Sequence, residues 1–186
     1  QWRLHFEGKG VLGMYRLLSF TIENFRSFCT AQTISLDGGG KHSVTAVFGP
    51  NAGGKSNIAR ALSTFVACVR NSSEANWRLP YEPFLLKAGM DARPTSFSIE
   101  FLRDGRRYDY TFSYLFNRVV REELKEESAR TGRMNKVFER TEEGLNPYAR
   151  QFGFGKRLLD RTRAETLLVT KGREDNNEYS NIIFDL

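Results

Sequence analysis

The chain has 186 residues, enough for one domain with a sizeable core and hardly for two. Hydrophobic residues at 40% and charged residues at 27% describe an ordinary globular protein, and every apolar run falls far short of the ~18 residues of a membrane span. The net charge of +6 permits a nucleic-acid partner, but the excess is spread thinly and no segment forms a basic arm.

Residues 1–13 carry Trp2, Arg3, His5, Glu7 and Lys9 without an apolar stretch, so they are not expected to act as a secretory signal. They read as an extension ahead of Met14, leaving residues 14–186 as the domain. Leu18, Phe20 and Ile22 then alternate with Ser19, Thr21 and Glu23, the period of a strand with one buried face. Asn24-Phe25-Arg26-Ser27-Phe28 breaks that pattern. A second strand is expected over residues 32–36, with Ile34 and Leu36 inward, followed by the loop Gly38-Gly39-Gly40.

Val44-Thr45-Ala46-Val47-Phe48 is a short apolar, β-rich run, as expected of a strand buried on both faces of a parallel sheet. It leads into Gly49-Pro50-Asn51-Ala52-Gly53-Gly54-Lys55-Ser56, which spells G-x-x-x-x-G-K-S. Ile58, Ala61, Leu62, Phe65, Val66 and Val69 follow as one apolar helical stripe. Strand, glycine loop and helix are the context in which this motif binds nucleotide phosphates. The glycines let backbone N–H groups turn toward phosphate oxygens, and the helix N-terminus adds partial positive charge. In that arrangement Lys55 reaches the β- and γ-phosphates and the Ser56 hydroxyl ligates Mg²⁺.

Residues 71–91 are rich in turn formers, including Pro80, Pro83 and Gly89, and read as a surface connection pinned by Leu85 and Leu86. Next comes the strongest β signal. Phe97, Ile99 and Phe101 alternate with polar residues, Asp104-Gly105 forms a hairpin turn, and Tyr108, Tyr110, Phe112, Tyr114 and Phe116 alternate again. This ladder is read as the packed face of an antiparallel sheet in preference to a base-stacking platform. After a two-residue loop at Asn117-Arg118, residues 120–127 read as a third antiparallel strand with Val120, Glu122, Leu124 and Glu126 on one face. Glu122-Glu123 and Glu126-Glu127, flanked by Arg121 and Lys125, are expected to be solvated surface and not a metal site. Val137-Phe138 marks a further short strand before Glu142-Glu143-Gly144. Thr162 and Glu165 fit a capping box for a helix bearing Ala164, Leu167 and Leu168, with Gly172 as its stop. Cys29 and Cys68, with no CxxC spacing, read as buried thiols of a cytoplasmic protein, and His5 and His42 as surface residues without metal partners.

Two stretches together carry a family resemblance: Ile22-Glu23-Asn24-Phe25-Arg26-Ser27-Phe28, then Val47-Phe48-Gly49-Pro50-Asn51-Ala52-Gly53-Gly54-Lys55-Ser56-Asn57. They resemble the amino-terminal lobe of the ABC-type ATPase heads of the RecF, SMC and OLD group. Among these, bacterial AAA-family ATP-binding proteins associated with abortive infection and phage defence are nearest. Their order of an aromatic D-G hairpin, a V/L-F-E-R strand and an N-N-E segment matches residues 97–116, Val137-Phe138-Glu139-Arg140 and Asn176-Asn177-Glu178.

The resemblance implies an α/β P-loop NTPase fold: an incomplete ABC-ATPase-like sheet with an antiparallel β-subdomain. It further implies that Asn51, Ala52, Gly53, Gly54, Lys55 and Ser56 wrap the β- and γ-phosphates of ATP, that Ser56 holds Mg²⁺, and that Asn57 opens the helix. Arg26 and Ser27 would lie beside the nucleotide. The implied partners are ATP, a head-to-head homodimer in a longer protein, and DNA or an effector nuclease, with no membrane.

The departures from the pattern are as informative. A signature motif, a switch histidine and an Asp-Glu Walker B strand, which an ABC head needs for hydrolysis, are not found in these residues. Ile182-Ile183-Phe184-Asp185 resembles only a Walker B fragment. No glutamine is assigned to the Q-loop: Glu174 and Asp175 stand where one is expected, and Gln151 is a poor substitute. The chain is therefore expected to be either one lobe of a longer ATPase or a module that binds nucleotide without turnover. A small P-loop kinase is less consistent, because two strands precede the phosphate loop.

Overall fold

The computed structural model describes residues 15–37, 46, 48, 54–148 and 155–186. The strands are β1 Tyr15–Glu23, β2 Gln32–Ser35, β3 Thr95–Arg103, β4 Arg106–Leu115, β5 Arg118–Glu127, β6 Met134–Thr141 and β7 Gly144–Pro147. The helices are α1 Lys55–Asn71, α2 Gly155–Asp160, α3 Leu168–Glu174 and α4 Glu178–Phe184. Among the described residues the seven strands form one sheet in the order β2-β1-β3-β4-β5-β6-β7, antiparallel at every pairing.

The sheet follows from the alternation in its sequence. Phe97, Ile99 and Phe101 of β3 and Tyr108, Tyr110, Phe112 and Tyr114 of β4 are buried on one face. The opposite face carries hydrogen-bonded polar pairs, Ser98 to Asp109 at 3.0 Å and Ser113 to Ser96 at 3.0 Å. One face apolar and one polar is the ordinary solution for an antiparallel sheet. Asp104 (φ 51°) and Gly105 (φ 78°) are both left-handed, as a two-residue hairpin of this twist requires.

Helix α1 lies on the apolar face, with the Phe65 ring 5.5 Å from Phe112 and 6.1 Å from Tyr110. Its buried stripe is Ala61, Thr64, Phe65, Cys68 and Val69. Cys68 thus takes the place expected for Val66, which is exposed. Burial raises the Cys68 thiol to about 12, whereas Cys29, expected to be buried too, is half-exposed.

Several expectations are corrected. The β4–β5 turn is Phe116-Asn117, one residue earlier than expected, so Phe116 leaves the ladder and is exposed. Leu85 and Leu86 pin nothing: they are 74% and 90% exposed, while Leu79, Pro83 and Met90 are the buried apolar residues of that connection. The helix expected from Thr162 begins at Leu168 instead. Thr162 caps backward, donating from Oγ1 to the Leu158 carbonyl at the end of α2 (2.7 Å). Gly172 is no stop but a close-approach residue inside α3, where a Cβ would come 2.2 Å from Ser180 Oγ of α4. Ile182-Ile183-Phe184 lie in α4, which removes the Walker B reading, since that motif is a strand. Asn177 is the N-cap of this helix, its side chain accepting from the Ser180 amide at 2.9 Å.

The glutamate pair is also corrected. Glu122 is 0% exposed and Glu123 4%. Adjacent strand residues point to opposite faces. Glu123 accordingly pairs with Lys125 (2.7 Å), Lys136 (3.1 Å) and Arg121 (3.0 Å) on the polar face. Glu122 faces the core. It accepts from the amides of Leu168 (2.7 Å) and Val169 (3.1 Å) and from the Tyr110 hydroxyl (2.9 Å), with the Arg140 guanidinium 3.7 Å away. Arg140 in turn donates to the Thr166 carbonyl at 2.6 Å. The knot ties α3 to β4, β5 and β6.

The expected loop strand at residues 44–48 lies outside the described residues except for Ala46 and Phe48, and these are exposed, Phe48 to 90%. His5, His42 and Gln151 also lie outside them, as do residues 1–14. Among the described residues, no helix is long and apolar enough to cross a membrane.

Candidate functional site

Helix α1 begins at Lys55, directly after Gly54 (φ 85°). A Cβ at Gly54 would sit in a left-handed backbone only 3.2 Å from Ser27 Oγ, so glycine serves both the turn and the close approach. The first turn of α1 contains no acidic side chain, and the N-cap makes no side-chain hydrogen bond. The only basic residue of its last turn is Arg70. The positive end of the helix dipole is therefore not offset by a carboxylate of its own first turn, which favours an anion there. Lys55 is half-buried and Ser56 exposed.

The break after β1 arrives at this same point. Asn24 and Arg26 both have left-handed φ, 48° and 49°. The buried Asn24 side chain donates to the carbonyls of Met90 (2.8 Å) and Arg93 (2.7 Å) and accepts from the Phe84 amide (3.1 Å). Thr95 Oγ1 donates to the Asn24 carbonyl at 2.8 Å. Phe25 is buried with its ring edge-on to Phe97, 5.3 Å between centroids. The main chain of Phe25 pairs with that of Phe28 through two hydrogen bonds, 3.1 and 2.8 Å. Between these two anchored phenylalanines the chain presents Arg26 and Ser27.

Their side chains meet α1. Arg26 Nη1 donates to Asn57 Oδ1 at 3.1 Å, and Asn57 Nδ2 donates to Ser27 Oγ at 2.9 Å. Arg26 Nε pairs with the Glu82 carboxylate, and the Arg26 amide donates to the Glu82 carbonyl at 2.8 Å. Arg60, one turn further along α1, reaches the same carboxylate at 3.4 Å. A guanidinium has five N–H donors, so the two bonds from Arg26 leave donor capacity at a solvent-accessible position.

Of the residues expected to bind nucleotide, the structure thus brings Arg26, Ser27, Gly54 and Asn57 together beside Lys55 and Ser56. Asn51, Ala52 and Gly53 lie outside the described residues. Glu82 was not foreseen: it sits in a stretch read as an irregular connection, and its only signal is a carboxylate flanked by Tyr81 and Pro83. Glu174 and Asp175 are used in ion pairs, Glu174 with Lys171 and Asp175 with Arg161 (3.7 Å). Among the described residues, no group of three His, Cys, Asp or Glu side chains could hold a metal ion.

No curated protein matches the chain. A family model described as "AAA domain, putative AbiEii toxin, Type IV TA system" matches residues 44–180. That span starts at the expected loop strand and runs through α1, β3 to β7, α2 and α3 into α4, leaving β1, β2 and the Arg26–Ser27 turn outside it. Such domains are P-loop, ATPase-like modules that as a class bind ATP with magnesium. The match covers well over half of the chain, and the chain belongs to this AAA-domain family.

Proposed function

We propose that residues 14–186 are the amino-terminal, Mg-ATP-binding lobe of an ABC-type ATPase head of the RecF, SMC and OLD group. The observation that carries this reading is the joining of two sequence motifs. The Asn24-Phe25-Arg26-Ser27 turn lies outside the matched family segment, yet its Arg26 and Ser27 are hydrogen-bonded to Asn57 in the first turn of α1. Two groups that would read one triphosphate are therefore side by side.

In this reading the backbone N–H groups from Asn51 to Ser56 surround the β- and γ-phosphates and Lys55 neutralises them. The exposed Ser56 hydroxyl suits a magnesium ion, which takes one or two protein ligands and completes its shell with phosphate oxygens and water. Magnesium would supply charge neutralisation between the phosphates. Arg26 adds a guanidinium that can bond phosphate through paired N–H donors, and Ser27 a hydroxyl.

Hydrolysis requires groups that position water and complete the charge cage around the γ-phosphate. In an ABC head these come from a second lobe and a partner head. The chain is accordingly proposed to bind ATP without turning it over, within a longer protein that dimerises head to head and couples ATP to DNA or to an effector nuclease in phage defence. A stand-alone nucleotide-sensing module is the second reading. It fits the helical state of Ile182-Ile183-Phe184, which leaves those residues without a Walker B role in either reading.

A titration with fluorescent ATP and magnesium tests the binding claim. Lys55→Ala is expected to lose most of the affinity, because a charge-assisted contact to phosphate contributes about 1.5–3 kcal/mol. Equal affinities for the two proteins would remove the phosphate-loop assignment. Turnover by the isolated chain near ~1 s⁻¹ would show it to be a self-sufficient enzyme.

A further inference from the structure

Beside Arg26 lies a shallow, open surface cavity of about 450 Å³, lined by Arg26, Tyr81, Glu82, Pro83, Leu85 and Leu86. Its volume falls in the range of small-molecule pockets, roughly 300–1,000 Å³. Its lining is chiefly apolar, and its charged members are the two that also bond to α1: Arg26 to Asn57 and Glu82 to Arg60. The cavity and the helix N-terminus therefore share a wall.

The walls are held in place by the core. Tyr114 donates from its hydroxyl to the Pro80 carbonyl at 2.8 Å, the Arg26 amide bonds the Glu82 carbonyl, and Asn24 receives the Phe84 amide. The Tyr81 hydroxyl donates to the Asp91 carbonyl, and its ring meets Phe116 edge-on at 5.5 Å. On this anchored segment Leu85 and Leu86 nonetheless stand in solvent. Exposed leucines on a fixed loop, next to a phosphate-type site, call for a flat apolar ligand part that is attached to an anion. A nucleotide has both halves in one molecule.

We infer that this cavity takes the base of the nucleotide whose phosphates sit at the start of α1; the inference rests on the nucleotide site proposed above. The base packs against Tyr81 and the two leucines, and Arg26 stands at the junction between base and phosphates. Apolar and aromatic walls hold any base by its faces, so this subsite contributes affinity more than base identity.

The test is calorimetric titration of the 186-residue chain with Mg-ATP and, separately, with inorganic triphosphate and magnesium. The double variant Leu85→Ser/Leu86→Ser alters only exposed side chains, so its fold is retained. It is expected to lower ATP affinity about tenfold, the lower part of the range for losing one stacked base, and to leave triphosphate affinity unchanged. Tyr81→Ala is expected to do the same, and Lys55→Ala to weaken both ligands. The inference is overturned if the double variant binds ATP as tightly as the parent, or if it weakens both ligands alike. It is equally overturned if the parent binds ATP no more tightly than triphosphate. Failure of the parent to bind either ligand sinks the nucleotide site itself, and the base subsite with it.

Discussion

Glu122 with Arg140 and Glu82 with Arg26 are the same chemical pair in two surroundings. The first pair is sealed: the Glu122 side chain is fully buried, and its oxygens are filled by two amides, a tyrosine hydroxyl and the nearby guanidinium. The second sits at the surface, where Arg26 uses two of its donors on Glu82 and Asn57 and the rest can meet solvent. A buried, fully satisfied pair has nothing left to offer a ligand, and breaking it strands a charge. An exposed pair contributes little to stability and can be remade around an incoming phosphate. Burial, more than residue type, commits one cluster to the fold and leaves the other free for the proposed site.

The largest effect is expected where the sealed knot is cut. Glu122→Ala leaves Arg140 without its carboxylate in the core, at a cost of about 3–5 kcal/mol. For a domain of this size that lowers Tm by roughly 6–20 °C. The double replacement Glu122→Leu/Arg140→Met is expected to cost less than the sum of the two single changes, because no charge is stranded. Additive losses in denaturant unfolding would mean that the two side chains do not act as a unit.

Gly172→Ala comes next. A methyl there meets Ser180 Oγ 2.2 Å away and its Cβ 3.2 Å away, so the Ser180 side chain must turn aside or α4 must shift. Overpacking of this kind costs about 1–3 kcal/mol. A fully stable Gly172→Ala variant would show that α3 and α4 are not closely packed at that point.

A smaller, pH-dependent contribution comes from the polar face. Burial pushes the Glu123 carboxyl up, but hydrogen bonds from Lys125 and Lys136 outweigh it and hold the group below the usual carboxylate range. A carboxyl depressed by folding adds stability that is present above its unfolded pKa and lost as pH falls through the folded value. The stability of Glu123→Gln should therefore fall less steeply than the parent's on acidification below about pH 4, the ordinary range of such groups. Parallel curves would contradict the pairing. The Cys68 thiol, raised to about 12 by burial, should resist alkylation in the native chain and react only on unfolding, while the half-exposed Cys29 reacts first.

What was legible in the sequence divides along the same line. The aromatic alternation of residues 97–114 and the Asp104-Gly105 turn are local signals, and they specify β3 and β4 closely. The G-x-x-x-x-G-K-S motif and the Asn24-Phe25-Arg26-Ser27 turn are both visible as motifs, and the structure joins the turn to the first turn of α1 through Asn57. The failures concern long-range partners. Glu122 looks solvated beside Glu123 until β6 supplies Arg140 and α3 supplies two amides. Thr162 and Glu165 match a capping box, but Thr162 is drawn back to the Leu158 carbonyl. Leu85 and Leu86 look like anchors until Asn24 and Tyr114 are seen to hold that loop by its backbone. Glu82 carries no local mark beyond its place between Tyr81 and Pro83.

The smallest expected effect on the fold is that of Arg26→Ala, and it tests the central claim most directly. The measurement compares Mg-ATP and AMP affinities of the parent and the variant, with Tm recorded for both. The account predicts that ATP binding weakens by about 1.5–3 kcal/mol, that AMP binding changes much less, and that Tm stays within a few degrees of the parent, because Arg26 reads the β- and γ-phosphate charge from an exposed position. Unchanged ATP binding, or equal losses for ATP and AMP, would contradict it and leave the turn after β1 as a purely structural contact with α1.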